Sequence, residues 1–375
     1  HQTYCLNWKE IHPDLVADVD AFLQRMSGSD VLAIDGPPKQ LKPSSIKARK
    51  FSIRQMISGL HHQGHDMSKL TSLSQLLKIE TAKKALGYHI DRAGGKSTSQ
   101  IGGLAQVLVL IGRYHCKIPE AHLRDLVTLR NRLHVRHKGL APTNREKLSQ
   151  FRDEKNIISL LMFPQDVYER LRRKNRLLAK DTLLLEIALA VEFELMLPLR
   201  RMNLVKLVWG QHIRPVTHRG QKRFFVNIES HETKNGQAIS AHLPEFATTL
   251  LEFWMERGRP NQMDGPTDYI FPGRLPDTHK SLDQFSRRFS KTLLKELGLH
   301  VHLHLMRHIG AFLYLGEKPG AYEVVRRVLG HAKLSGTINS YVGLEMDPAV
   351  DAFDTVILGI RDNIRSNTDG ASLDD

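Results

Sequence analysis

Cysteine is nearly absent from this sequence: Cys5 and Cys116 are the only 2 in 375 residues. So few thiols exclude a disulfide framework and a cysteine-rich zinc site, and they fit a reducing compartment. Long apolar runs are lacking too. None approaches the ~18 residues of a spanning helix, and no charged-then-apolar leader opens the chain, so no membrane partner is expected. The first residue is His1 rather than Met, so a native start upstream of it is expected. Acid is missing from one long stretch: from Lys39 to Gln63 there is neither Asp nor Glu.

Positive charge is what the chain has in excess. Against 40 Asp+Glu stand 54 Lys+Arg, a formal net charge of +14, and the pI is near 9.7. Clustered cations favour a polyanion, because phosphates release counterions to them, so nucleic acid is the first partner to expect. The length predicts two or three domains at roughly 150 residues each, and 41% hydrophobic residues suffice for their cores.

Helical spacing dominates the first part. Leu15, Val19, Phe22 and Leu23 share a face within residues 6–27, before "GPPKQLKPSS" breaks the pattern. Ile46, Ile53, Ile57 and Leu60 share another, beside a strip of Lys47, Lys50 and Arg54 that is placed to lie against phosphates. Further helices are predicted at about 70–92, 98–115 and 119–137, the last ending in "LRNRLHVRHKG", whose Arg130, Arg132 and Arg136 make a second basic candidate. The polar stretch 139–153 is read as the end of a first, all-α domain, 1–152.

A second domain follows. "DTLLLEIALAVEFELMLPLRRMNLVKL" is too apolar to be anything but core helix. Then the period changes: Phe224, Val226 and Ile228 alternate, as do Ile239, Ala241 and Leu243, with Asn235-Gly236 between them as a type I′ hairpin signal beside Lys234. A Pro/Gly-rich loop precedes a return to helices, so the class is mainly α with a small antiparallel sheet.

The chemistry gathers near the C-terminal end, in "HLMRHIGAFLYLGEKPGAYEVVRRVLGHAKLSGTINSY". His304 and Arg307, three apart on a helix, point the same way. Arg offers a planar charged fork suited to phosphate oxygens, and His a donor near neutral pH. Tyr341 is the nucleophile this cluster would serve, since a phenol of pKa near 10 attacks only where cations stabilise the phenolate and a neighbour takes the proton. Tyr322 is its nearest rival. His308 reads as structural, being on a different side of the helix from Arg307. "HHQGH", with His61, His62 and His65, reads as a solvated helix end, for no Cys or carboxylate follows at zinc-site spacing. No Asp/Glu cluster supplies ligands for a two-metal nuclease site.

In this order the residues resemble the tyrosine recombinases, or phage integrase family, over roughly residues 160–347. "HLMRH" supplies His304 and Arg307, "LGH" His331 and "INSYVGLE" Tyr341. "PLRRMNLVKLVWG" supplies a first arginine, Arg200 in preference to Arg201, and "ETKNGQ" the hairpin lysine, Lys234. Two departures stand out: Met196-Leu197-Pro198 where the family usually has Thr-Gly before the first arginine, and Asn203 where it usually has an acid. The first domain resembles the family's core-binding domain in pattern only.

The resemblance implies a catalytic domain at 153–347 that breaks and rejoins double-stranded DNA through a 3′-phosphotyrosyl link, with no cofactor and no metal. Arg200, Arg307 and the histidines would grip the phosphate, Lys234 protonate the leaving oxygen, and His304 or His331 handle the tyrosine proton. It implies self-assembly into a tetramer on two DNA sites, with the segment 348–375, whose Val350, Phe353, Val356, Ile357 and Ile360 form an apolar face, docked on a neighbouring protomer. A site-specific recombinase or integrase of a mobile element, cytoplasmic and associated with a bacterial nucleoid, is the reading expected. A type IB topoisomerase, a protelomerase-like enzyme and a decayed DNA-binding protein remain alternatives.

Overall fold

In the computed structural model, which describes residues 4–28, 36–37, 40–135, 139–341, 350 and 353–360, contacts divide the chain into two compact units, His1–Arg136 and His137–Asp375. The first is all α. Its helices are α1 (Pro13–Ser27), α2 (Pro43–His62), α3 (Leu73–Leu76), α4 (Ile79–Arg92), α5 (Ser99–Tyr114) and α6 (Glu120–Leu133). Pro13 opens α1, where the His12 side chain accepts from the Asp14 amide, and Thr98 caps α5 by accepting from the Ile101 amide. Leu15, Val19 and Phe22 of α1 meet Ile53, Ile57 and Leu60 of α2 in one apolar core with Leu104, Leu108 and Ile111 of α5. Gly102 of α5 lies so close to the chain leaving α6 that a Cβ there would stand 3.1 Å from the Leu133 carbonyl.

The second unit begins earlier than the sequence implied. Residues 139–152, expected to close the first domain, form α7 (Pro142–Ser149) and a short turn, and their few apolar residues, Leu140, Leu148 and Phe151, are buried in the second core. The segment is polar because it lies on that unit's surface, with these three residues as its anchors. Helices α8 (Glu154–Arg172) and α9 (Ala179–Met196) follow. Asp153 caps α8 through the Lys155 amide at 3.0 Å. From Leu185 to Glu194 every residue of α9 is buried, the glutamates Glu186, Glu192 and Glu194 included.

After the short α10 (Arg201–Val205) comes an antiparallel sheet of β1 (Ile213–His218), β2 (Gln221–Ile228) and β3 (Ile239–His242) in the order β1-β2-β3. Phe224, Val226 and Ile228 point into the core. Helices α11 (Glu245–Phe253), α12 (Leu282–Leu297), α13 (Leu303–Glu317), α14 (Tyr322–Val328) and α15 (Leu334–Tyr341) complete the unit, and residues 353–360 are helical. The described residues are therefore mainly α with one small antiparallel sheet.

The sheet differs from its sequence reading in two respects. The tight hairpin lies at Arg219-Gly220, both with positive φ (50° and 76°), where His218 pairs with Gln221; this is the backbone of a type I′ turn. Asn235-Gly236 instead belongs to a longer link between Ile228 and its partner Ile239, and there only Gly236 has positive φ (68°). Strand β1 contains Pro215. Proline is tolerated at a sheet edge, and β1 is an edge strand.

Candidate active site

Arg307, in the middle of α13, is only 4% exposed. One arm of its guanidinium donates to the Pro198 carbonyl and the other to the Leu329 carbonyl at 2.5 Å. A single side chain thus joins α13 to the link before α10 and to the end of α14. Burial lowers its pKa, with the buried Glu194 carboxyl acting in the opposite direction, and an arginine remains charged under such conditions. Glu194 is fully buried; neither of its oxygens has a hydrogen-bond partner among the described residues. Burial holds its pKa well above the carboxylate range, with the charge of Arg307 pulling it back.

Arg200 stands at the N-terminal cap of α10, half-buried, close enough for its charge to act on His304, Arg307 and His331. His304 lies on the exposed flank of α13. Desolvation lowers its pKa, and the charges of Arg307, Arg201, Arg200 and Lys234 lower it further. Lys234 is exposed in the β2–β3 link, where Asn235 donates to the Gly330 carbonyl at 3.1 Å. That bond ties the lysine's link to the turn carrying His331.

His331 is held on both sides. Its Nδ1 lies 2.9 Å from Thr337 Oγ1, while Arg326 donates to its carbonyl at 3.0 Å. Burial, then the charges of Arg307, Arg200 and Arg326, push its pKa down to about 4. Its ring lies parallel to that of Tyr341, with centroids 6.4 Å apart. Tyr341 ends α15, only 1% exposed. Burial raises its phenol to about 12, with Arg307 lowering it. Its hydroxyl is 2.9 Å from Nδ1 of His308.

Arg200, Lys234, His304, Arg307, His331 and Tyr341 thus converge from five segments of the second unit. His308 was set aside in the sequence, because successive helical residues diverge. The signal that finds it is its i+4 spacing from His304: the two rings lie edge to face, 5.1 Å apart. Asn203 does not turn to Arg200; it donates to the Glu232 carbonyl at 3.3 Å. Tyr322 packs at the edge of the core.

In the first unit Lys47 is exposed. Lys50 pairs with Asp20 of α1 at 2.6 Å and lies over the Trp8 ring at 5.1 Å. Arg54 lies over Phe51 at 5.3 Å. Arg132 is exposed and Arg130 half-buried on α6, whereas Arg136 lies outside the described residues. His61 and His62 are exposed at the end of α2, where His62 bonds to the Tyr4 carbonyl at 2.8 Å and stacks on Tyr88. Among the described residues no group of three or more His, Cys, Asp or Glu is placed to hold a metal ion, and no helix is long and apolar enough to cross a membrane.

The second unit is mainly helical and sets arginines, histidines and a lysine around one tyrosine. Residues 163–347 match the model of the phage integrase family, and the chain carries a domain of that family there. A search of curated proteins gives no significant match. Among solved structures the chain is similar to lambda integrase (75-356), a dimer bound to a COC′ core site, at 16% identity, 88% and 96% coverage of this chain and that, and TM-score 0.49. It is also similar to the Tn1549 transposon integrase in complex with transposon right end DNA, at 14%, 92% and 99%, and 0.48. XerH site-specific recombinase bound to difH substrate gives 12%, 91% and 96%, and 0.45.

Proposed function

We propose that this chain is the site-specific recombinase, or integrase, of a mobile element and that Tyr341 is its nucleophile. The observation that carries the reading is the placement of Tyr341 beside His331 and His308, within reach of the Arg307 charge. Arg200 and Arg307 bind the non-bridging oxygens of the scissile phosphate, as preorganised donors do where charge develops. Tyr341 attacks phosphorus, its oxygen gains the bond to phosphorus, and the bond to the 5′ oxygen breaks. Lys234 gives that oxygen a proton. The product is a 3′-phosphotyrosyl link and a free 5′-hydroxyl. Because the link conserves the phosphodiester's energy, a 5′-hydroxyl from another strand reseals it without ATP, and the charge stabilisation comes from side chains rather than a metal.

Strand exchange between two sites calls for several protomers, and the C-terminal segment supports such an assembly. Phe353 is 66% and Val356 60% exposed, an apolar face that is costly to leave in water. In this reading residues 348–375 cover it by docking on a neighbouring protomer of a tetramer. DNA from the protein's own genomic neighbourhood provides the test: two copies of the target on one plasmid are resolved or inverted, and one copy is not relaxed. Relaxation of a plasmid with a single site would instead favour a topoisomerase.

A further inference from the structure

The phenol of Tyr341 must lose a proton as its oxygen bonds to phosphorus, and three histidines stand near it. His331 shows the phenol its flat face: the rings are 5° from parallel with centroids 6.4 Å apart, and its Nδ1 is committed to Thr337. His304 is exposed, and its nearest ring is His308 rather than Tyr341. His308 alone among them aims a ring nitrogen at the phenol oxygen, Nδ1 to Oη 2.9 Å, a distance suited to direct proton transfer. It sits on α13 one residue from Arg307, so a movement of α13 carries the phosphate-binding group and the acceptor together.

Resting on the reading of Tyr341 as nucleophile, we propose that His308 is a further catalytic residue, the base that takes the phenolic proton on cleavage and returns it on rejoining. The neutral imidazole carries its hydrogen on Nε2 and accepts through Nδ1. The O–H bond breaks toward Nδ1 as the Oη–P bond forms; the P–O5′ bond breaks and the leaving oxygen takes its proton from Lys234. The released phenolate of the reverse step recovers the proton from the imidazolium. The groups facing His308 are His304, Arg307 and His302 from its own helix and cap, His331 from the α14–α15 turn, and Tyr341 from α15. Burial and these charges hold its pKa down to about 4, so at neutral pH it is in the accepting form. A phosphodiester anion seated on Arg307 raises the basicity of the adjacent imidazole when transfer occurs, as an opposite charge does within a few ångströms.

The test is single-turnover formation of the covalent adduct on a nicked substrate, across pH, for the wild type, His308→Gln and His308→Asn. Gln and Asn can accept the phenol's hydrogen bond but cannot take its proton. At neutral pH both variants should lose adduct rate by about 10²-fold or more while keeping DNA affinity, and their rates should climb toward wild type as pH rises. A ring-fluorinated tyrosine at 341, which ionises more readily, should recover part of the rate in His308→Gln but none in Arg307→Ala. Wild-type rates in both variants would place the acceptor elsewhere and overturn the inference alone. A faster variant would also overturn it, showing the contact to be a latch on a buried phenol. No adduct from the wild type on its own target would remove the nucleophile assignment, and this inference with it.

Discussion

Asn235 donates its side-chain amide to the Gly330 carbonyl at 3.1 Å, and through that bond the link carrying Lys234 is held against the turn carrying His331. Lys234 is itself exposed, so the tether on its neighbour sets where its ammonium reaches. A hydrogen bond of this kind contributes about 1 kcal/mol. Asn235→Ala should therefore slow cleavage by roughly 5-fold on an ordinary phosphodiester. On a 5′-bridging phosphorothiolate, whose leaving sulfur needs no proton, it should have little effect. Equal slowing on both substrates would show that Asn235 acts on something other than Lys234.

Acid should loosen the second unit through its histidines. His302, His308 and His331 are each pushed from the ordinary value near 6.5 down to about 4, chiefly by burial. The unfolded chain binds their protons at a higher pH than the folded one does. Their stabilising contribution is thus fully present above about 6.5 and is lost as pH falls toward about 4, at up to roughly 1.4 kcal/mol per pH unit for each titrating group. Denaturant unfolding at a series of pH values should show stability rising through this window, and His331→Gln should flatten the rise. An unchanged slope in the variant would mean that His331 titrates alike in both states.

DNA affinity in the first unit should depend unequally on its basic strip. Lys47 is exposed, while Lys50 is already paired with Asp20. Replacing Lys47 with Gln should lower the slope of log affinity against log salt by about 0.9 if it meets one phosphate, on target and random DNA alike. Lys50→Gln should change it less, since Asp20 offsets part of that charge. Identical slopes for the wild type and Lys47→Gln would take α2 out of the interface.

Much of this fold was legible because burial imposes a period. Leu15, Val19 and Phe22, and again Phe224, Val226 and Ile228, reported their buried faces directly. What was not legible depended on partners remote in sequence. The strip on α2 contains no acid of its own, but α1 brings Asp20 to Lys50 across 30 positions. Residues 139–152 read as the end of the first domain because their three buried apolar residues are thinly spread. Asn235-Gly236 has the composition of a tight turn, yet the strand register places that turn at Arg219-Gly220. Among the site residues, order and spacing singled out Arg307, His331 and Tyr341, whereas His308 reads only as structural until α15 is seen to place the phenol against α13.

The exposed apolar face of the C-terminal segment should matter for assembly but not for binding a single duplex. Removing residues 348–375 should leave DNA affinity within about 2-fold, a difference below roughly 0.5 kcal/mol, while abolishing complexes that hold two sites. Native gels and light scattering on long DNA report both quantities. Normal pairing of sites by the truncated chain would remove the segment from the assembly.

The central claim is that one phenolic oxygen becomes the phosphorus-bound atom. Tyr341→Phe deletes that oxygen and keeps the ring in its buried place, so folding and DNA affinity should be retained. On a target duplex nicked so that the fragment with the 5′-hydroxyl diffuses away, the wild type should accumulate a protein–DNA species that survives denaturing detergent. Peptide mapping should place the nucleotide on Tyr341, and the Phe variant should form none. An adduct formed by Tyr341→Phe, or a nucleotide mapped to Tyr322, would contradict the account.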